Sequence, residues 1–203
     1  ENVPAVGRSW KKSLWMMKTR SASGARRQLR PMPQIMPQIM SLSDRSLIGK
    51  SLGLAAGIMV LDQVSKFWLI AWVEAQGGWA QVTGFFNLVM VWNRGISFGM
   101  LQSGETGRWL LVGFTSLVCI GLYIWLTRQS HLWPALALGA VIGGAVGNIV
   151  DRIWRGAVAD FFDFHIMGYH WPAFNVADSA ITIGVAVLLY DSFRAPADQG
   201  PAD

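Results

Sequence analysis

Two long stretches without a charged residue constrain this chain more than any other feature of its sequence. They are Trp109 to Leu126 and Trp133 to Val150, and at about 1.5 Å of rise per residue each would form a helix about 27 Å long. That length matches the hydrocarbon core of a bilayer, in which only helices and closed barrels satisfy their own backbone hydrogen bonds. We therefore predict that both stretches are membrane-spanning helices.

Two further apolar stretches are long enough to span a membrane but contain ionisable residues. They run from Leu47 to Val73 and from Ala173 to Phe193. A charge at the bilayer centre is costly, so we expect these groups at depths where water or a partner side chain reaches them. The chain is thus predicted to be an all-α membrane protein with four transmembrane helices. The ionisable residues in question are Lys50, Asp62, Lys66, Asp178 and Asp191.

The basic character of the chain is confined to its first segment. Residues 1–39 hold eight basic residues and one acidic residue, whereas the rest of the chain holds nine basic and eleven acidic ones. A net charge of +5 therefore gives no evidence for a nucleic-acid-binding face. We expect residues 1–39 to be a disordered basic extension and residues 40–203 to be a single four-helix domain. The extension is interpreted as a non-native addition upstream of Met40, with a transit peptide or a membrane-surface arm as the alternative.

Charged residues give only weak information on orientation, because both predicted sides carry arginines. Four spans place both termini on one side of the membrane, and positively charged residues favour the cytoplasmic side. The side of the termini would hold Arg45, Lys50, Arg128 and Arg194, and the opposite side would hold Arg94, Arg108, Arg152 and Arg155.

Small residues repeat at intervals of four in the third span. Gly139, Gly143 and Gly147 follow this spacing, with Gly144 beside them. Small residues in this register let two helix backbones approach closely in lipid. We therefore expect the third span to lie at the centre of the helix bundle.

The segment between the first two spans has the composition of a β-strand. Val82 to Met100 is rich in aromatic and β-branched residues, and it contains the turn signal Asn93-Arg94-Gly95. We predict a short β-like element on the outer surface of the membrane.

Polar residues are concentrated at one end of the third and fourth spans. Asn148, Asp151 and Arg152 are spaced i, i+3, i+4 and share one helix face, and Asn175 and Asp178 stand i, i+3 where the fourth span begins. Because these helices are antiparallel and joined by an outer loop, their polar faces can meet. The loop between these helices adds Asp160 and Asp163. We therefore expect four carboxylates near one membrane surface: Asp151, Asp160, Asp163 and Asp178.

Such a cluster has the chemistry of an aspartic peptidase. Two carboxylates held close together cannot easily both ionise, so one keeps a proton while the other can activate water. Peptide hydrolysis needs a base for the attacking water and an acid for the leaving amine, and one such pair supplies both. The low dielectric of a membrane interface strengthens the coupling between the two groups.

Five motifs, in order and covering about residues 47 to 193, resemble those of the bacterial lipoprotein signal peptidase (signal peptidase II) family. Each motif alone would be weak evidence for the family, but a chance match of all five in the family's order is very unlikely. They are Asp62-Gln-Val-Ser-Lys66, Phe86-Asn-Leu-Val with Asn93-Arg-Gly-Ile-Ser-Phe98, Gly143-Gly-Ala-Val-Gly-Asn-Ile-Val-Asp-Arg152, Val158-Ala-Asp-Phe161 and Phe174-Asn-Val-Ala-Asp178.

The resemblance implies a monomeric peptidase of the bacterial inner membrane without a cofactor or metal, with both termini cytoplasmic and membrane lipid around it. It implies periplasmic cleavage before the lipid-modified cysteine of a prolipoprotein. Asp160 and Asp178 match the family's catalytic pair, and Asp62 and Lys66 match a first-helix motif interpreted as structural. Substrate-binding or site-supporting positions fall on Asn93, Asn148, Asp151, Arg152 and Asn175.

The turn segment departs from the family pattern, which often reads Asn-Thr-Gly-Ala-Ala-Phe. Here Arg94 and Ile96 replace two of those residues. The details of the substrate-covering loop are therefore open.

Simpler interpretations stand beside several of these assignments. Asp62 and Lys66, at i, i+4, fit a structural ion pair. Asn175 with Asp178 fits an N-cap arrangement, which is compatible with a catalytic Asp178. For Arg152, which neighbours Asp151 in the chain, a buried ion pair and substrate contact both remain open.

Two other kinds of site are less well supported. Asp160, Asp163, His165 and His170 could hold a metal, but the histidine spacing fits no helical pair and there is no HExxH motif. A catalytic dyad of Ser65 and Lys66, inside the first-helix motif, is disfavoured because adjacent helical residues point about 100° apart. Two competing functions stay open: a proton-linked transporter, which intramembrane carboxylates can also mark, and a non-enzymatic assembly factor.

Overall fold

The computed structural model describes residues 42–95 and 104–194. The predicted basic extension, residues 1–39, lies outside these ranges, as do Ile96 and the end of the predicted β-like segment. The described residues belong to one compact unit.

Within those ranges the chain forms four long helices and four short strands. Every one of the helices is long and apolar enough to cross a membrane, which confirms the predicted four-span architecture. In chain order the elements are α1 (Leu42–Ala75), β1 (Trp79–Gln81), β2 (Phe86–Asn93), α2 (Gly104–Leu126), α3 (Leu132–Trp154), β3 (Val158–Ile166), β4 (Tyr169–His170) and α4 (Val176–Arg194).

Helix α3 is the centre of the bundle, as its glycine spacing predicts. In its most apolar segment 67% of the residues are buried, against 17% or less in the other three helices. Any Cβ added at Gly143 would collide with the backbone of Ala55 on α1, and one added at Gly144 would collide with the backbone of Ala177 on α4. The glycines therefore allow α1 and α4 to pack directly against α3.

The three outer helices expose large apolar side chains, as expected of surfaces in contact with lipid. Phe67 on α1, Phe114 on α2 and Ile183 on α4 are all exposed. Tryptophans near helix ends are exposed as well, which suits anchoring at the membrane interface. These are Trp68, Trp72, Trp109, Trp125, Trp133 and Trp171.

The strands form an antiparallel sheet in the order β1-β2-β3-β4. Strand β2 confirms the predicted β-like element, and it pairs with β3 in a register that sets Val91 opposite Asp160 and Asn87 opposite Asp163. The prediction of a loop for these two aspartates was wrong. The segment Val158–Ile166 is rich in aromatic and β-branched residues, and β2 supplies the backbone partners that make it a strand.

Chain direction places the sheet and four helix ends on one side of the bundle. Helices α1 and α3 end there, and α2 and α4 begin there. The start of α1 and the end of α4 lie at the opposite side. This arrangement brings the end of α3, strand β3 and the start of α4 together.

Candidate active site

Asp160 lies on β3 with 2% of its surface exposed. Two side-chain amides donate to its carboxylate. Asn93, at the end of β2, donates from Nδ2 to Oδ2 at 3.1 Å. Asn175, just before α4, donates from Nδ2 to Oδ1 at 2.7 Å. The sheet and the α4 N-terminus thus hold this carboxylate from both sides.

Asp178 lies in the first turn of α4 and is half-buried. Asn175 caps the helix: its Oδ1 accepts from the Asp178 backbone N–H at 2.9 Å, while the Asn175 backbone N–H donates to Asp178 Oδ2 at 3.3 Å. This reciprocal pair is a capping box and confirms the predicted N-cap. Asn148 on α3 donates from Nδ2 to Asp178 Oδ1 at 2.8 Å.

Asn175 is therefore the shared neighbour of both aspartates. Because its Oδ1 accepts from the backbone of Asp178, its Nδ2 is the group left to donate to Asp160. The same Nδ2 lies 3.3 Å from Asn148 Oδ1. The prediction that the polar faces of the third and fourth spans meet is confirmed, and the capping and supporting roles of Asn175 coexist.

The environment of Asp160 favours its protonated form. Burial is the largest cause, and the nearby charge of Asp178 adds to it, so the pKa of Asp160 is raised to about 6. Hydrogen bonds from Asn93 and Asn175 and the more distant Lys66 oppose this rise. One carboxyl group of the pair can thus keep a proton at a pH where an ordinary aspartate has lost it.

Arg152 lies on the face of α3 that points toward the aspartates. Its Nη1 donates to the backbone oxygen of Asn148 at 3.3 Å, and its charge interacts with those of Asp178 and Asp160. Its Nε is buried and has no hydrogen-bond partner in the part of the chain that the structure describes. The predicted alternative of an Asp151–Arg152 ion pair was wrong, since the partners of Asp151 are Lys66 and Arg155.

Beneath the site lies a buried network of charges. Lys66 Nζ lies 2.8 Å from Asp62 Oδ2 and 2.7 Å from Asp151 Oδ2, and all three side chains are completely buried. The Asp62–Lys66 ion pair predicted from the i, i+4 spacing is confirmed, but Asp151 was not expected in it. Lys66 also donates to Asn148 Oδ1 at 3.2 Å, so the network is in direct contact with the site.

The network also reaches the first turn of α4. It includes Gln63, whose role the sequence analysis did not predict. Asp62 Oδ1 accepts from the backbone N–H of Ala177 in the first turn of α4 at 2.9 Å. Gln63 donates from Nε2 to Asp151 Oδ1 at 3.1 Å and accepts from Arg155 Nη1 at 3.1 Å. Gln63 follows Asp62 in the first-helix motif, but nothing in the sequence shows which residue it contacts.

Asp163 is not brought into this site. Its carboxylate accepts from Asn87 Nδ2 at 2.9 Å and lies 2.9 Å from His170 Nδ1. Burial alone would raise the pKa of Asp163, but these hydrogen bonds and attraction to His170 and His165 outweigh it, so the pKa is lowered. In residues 42–95 and 104–194 there is no group of three or more His, Cys, Asp or Glu side chains placed to hold a metal.

A cavity of about 550 Å³ opens onto Asp160. It runs between the end of β2 and the segment before α4, and its lining includes Asn93. An extended peptide lying there would come close to the Asp160 carboxyl group. The other lining residues are Val91, Trp92, Arg94, Gly95, Pro172 and Ala173.

Comparison with known proteins gives a consistent result. The family model described as signal peptidase (SPase) II matches residues 54–194. A lipoprotein signal peptidase of Rhodopseudomonas palustris is 46% identical over 159 residues, covering 74% of this chain and 97% of that protein. One from Caulobacter vibrioides is 44% identical over 142 residues, covering 69% of this chain and 84% of its own length.

The fold has a solved counterpart. A bacterial membrane enzyme solved by the in meso method at 2.3 Å resolution superposes with a TM-score of 0.63 at 29% identity. The match covers 77% of this chain and 94% of that one. Because the family model reaches from within α1 to the end of α4, the chain belongs to the signal peptidase II family of membrane peptidases.

Proposed function

We propose that this chain removes the signal peptide from diacylglyceryl-modified prolipoproteins, cleaving before the lipidated cysteine, with water activated by Asp160 and Asp178. The observation that carries this proposal is the double role of Asn175. One side-chain amide donates to Asp160 and caps the helix turn that holds Asp178. Both aspartates are thus tied to the same residue, which supports their acting as a pair.

The two aspartates have different surroundings, which suggests different roles. Asp178, at the N-terminal end of α4, accepts from the Asn148 amide and takes the proton of the attacking water. Asp160, with its pKa raised to about 6, carries the shared proton and gives it to the substrate carbonyl oxygen. Asn93 and Arg152 stabilise the charge that develops on the intermediate.

The proposal includes an orientation in the bacterial inner membrane. The sheet and the site face the periplasm, both termini face the cytoplasm, and residues 40–203 act as one monomeric domain. Exposed basic residues are more numerous on the side of the termini, which supports this orientation; Arg45, Lys50, Arg128 and Arg194 are exposed there, and Arg94 is exposed on the other side.

A transporter that uses intramembrane carboxylates is the alternative. Transporters place such groups near the bilayer midplane, between interrupted helices. Here Asp160 and Asp178 lie on a strand and in the first turn of a helix, at one end of the bundle. The four helices of the described ranges are continuous, which favours the peptidase.

The test is cleavage of a defined precursor by the purified protein. A diacylglyceryl-modified prolipoprotein is incubated with it in excess chelator, and the masses of the products are measured. We expect a mature product that begins with the lipidated cysteine. The control is the same precursor without the lipid. Cleavage at another bond, equal cleavage of the unmodified precursor, or loss of activity restored by a divalent ion would contradict the proposal.

A further inference from the structure

A second cavity, of about 420 Å³, lies beside the one that opens onto Asp160. Trp92 and Arg94, at the end of β2, line both cavities. The second cavity is also lined by Arg108 near the start of α2 and by Arg155 at the end of α3. We call it the arginine cavity; its remaining lining residues are Glu105, Gly156 and Ala157.

Arg108 has unused hydrogen-bonding capacity in this cavity. Its Nη2 lies 2.9 Å from Glu105 Oε1, but the Glu105 side chain is 80% exposed, so this pair is weak. Its Nε is buried and has no hydrogen-bond partner within the described ranges. Gly156 has a positive φ of 80°, and a Cβ there would lie 3.4 Å from Arg108 Nη1. A glycine at this position leaves the guanidinium accessible from the cavity.

The charges around the cavity leave a positive excess. Arg155 and Lys66 are balanced by Asp151 and Asp62 in the buried network. The two hydrogen bonds that the Arg155 guanidinium donates to described residues both come from Nη1, so the rest of the guanidinium remains available. The positive excess comes from Arg94 and Arg108, because Glu105 is the one acidic residue among the described residues that line the cavity.

Two exposed tryptophans mark the depth of the cavity in the membrane. The Arg108 guanidinium lies 4.9 Å from the ring centroid of Trp109, and that of Arg155 lies 5.7 Å from the ring centroid of Trp154. Tryptophan side chains favour the membrane–water interface, where lipid phosphates lie. The guanidinium groups are therefore at the level of lipid headgroups.

We propose that the arginine cavity binds a phosphate group, presented by an anionic phospholipid headgroup or as free phosphate. Guanidinium groups pair with phosphate oxygens through parallel N–H···O bonds, and the lining residues Arg94, Arg108 and Arg155 supply such donors. Because Trp92 and Arg94 also line the cavity at Asp160, a bound phosphate lies next to the site. The proposal concerns binding alone and does not depend on which bond the protein cleaves.

Binding to the full-length protein in a neutral detergent tests this inference, with dihexanoyl-phosphatidylglycerol and inorganic phosphate as separate titrants in calorimetry. We expect Arg94→Gln/Arg108→Gln to weaken binding about tenfold or more and Glu105→Gln to tighten it. Arg128→Gln, at an exposed position of the opposite end, is the matched control and should bind like the wild type. Arg94→Gln alone, also at an exposed position, serves if the double variant does not fold.

The two titrants distinguish the sources of the phosphate. Tighter binding of the lipid than of inorganic phosphate assigns the cavity to a headgroup, and equal binding assigns it to free phosphate. The inference is overturned if neither titrant binds the wild type, if the arginine variants bind as the wild type does, or if Arg128→Gln weakens binding equally.

Discussion

Lys66 Nζ lies 2.7 Å from Asp151 Oδ2, and both side chains are completely buried. The same ammonium group contacts Asp62 and donates to Asn148 Oδ1. Because Asn148 Oδ1 is occupied in this way, its Nδ2 is left to donate to Asp178. One buried cation therefore joins α1 to α3 and also fixes which end of the Asn148 amide faces the site.

Replacing this cation should strongly destabilise the protein. In Lys66→Met two buried carboxylates lose their shared partner, and removing one partner of a buried pair costs about 3–5 kcal/mol. We expect that loss in the free energy of unfolding of the purified protein in detergent. Lys50→Met, at an exposed position of the same helix, is the control. A Lys66→Met protein as stable as the control would show that the network contributes little.

Neutralising the whole network should restore part of that loss. The triple variant Asp62→Asn/Lys66→Met/Asp151→Asn removes the three completely buried charges and leaves only Arg155, whose side chain is 20% exposed, without its partner. We therefore expect it to be more stable than Lys66→Met alone. The same unfolding measurement compares the two. A triple variant less stable than the single one would mean that the charge on the carboxylates is not what destabilises Lys66→Met.

Substitutions of Asn175 can separate its role as a helix cap from its hydrogen bond to Asp160. Serine is as good an N-cap as asparagine, but it has no amide to donate to Asp160. We expect Asn175→Ser to lose activity about 100-fold, as misplacement of a reacting group does. Asn175→Ala should lose as much activity and about 1 kcal/mol more stability, because the cap is lost too. Cleavage rates and unfolding curves of both variants check this, and a fully active Asn175→Ser would contradict the positioning role.

The close approach of α1 to α3 should make Gly143 intolerant of even a methyl group. A Cβ there collides with the backbone of Ala55, so we expect Gly143→Ala to cost about 1–3 kcal/mol in unfolding free energy. Gly121 on α2 has open space around it, and Gly121→Ala should be neutral or slightly stabilising. Equal stability of the two variants would disprove the packing account of α3.

The raised pKa of Asp160 predicts the direction in which the stability of the protein changes with pH. An unfolded aspartate has a pKa of about 4, whereas Asp160 in the folded protein has one of about 6. Between these values the folded state binds more protons, so stability falls as pH rises through this window, by up to about 3 kcal/mol. Asp160→Asn should lack this fall, which unfolding midpoints at several pH values would show.

Asp163 provides the matched control, because its pKa is lowered. The Asp163 carboxylate contributes to stability at pH values above the pKa of an unfolded aspartate, and this contribution is lost as pH falls. Asp163→Asn should therefore change the acid side of the profile and leave the fall toward neutral pH in place. If wild type and Asp160→Asn show the same decline toward neutral pH, Asp160 is not the group responsible.

Local features of the sequence predict much of this fold. Charge-free stretches of bilayer length identify α2 and α3, and glycines at intervals of four identify α3 as the central helix. The i, i+3 spacing of Asn175 and Asp178 predicts both the cap and the polar face. Each of these inferences depends only on residues within one helix and its cap.

The remaining features depend on contacts between distant segments. Lys66 meets Asp151, and Gln63 meets Arg155, only because α1 packs against α3 in one register. Asp160 becomes part of a strand only because β2 lies beside it. Its segment is buried continuously rather than at alternate residues, so the period of two that marks a strand is missing.

The most direct test of the account is the turnover of Asp160→Asn and Asp178→Asn on a diacylglyceryl-modified prolipoprotein, followed by product mass. Asp191→Asn, an exposed position near the end of α4, is the control. We expect both site variants to be folded and without detectable cleavage, while the control retains wild-type turnover. Near-normal cleavage by either folded site variant would contradict the assignment of the two aspartates as the catalytic pair.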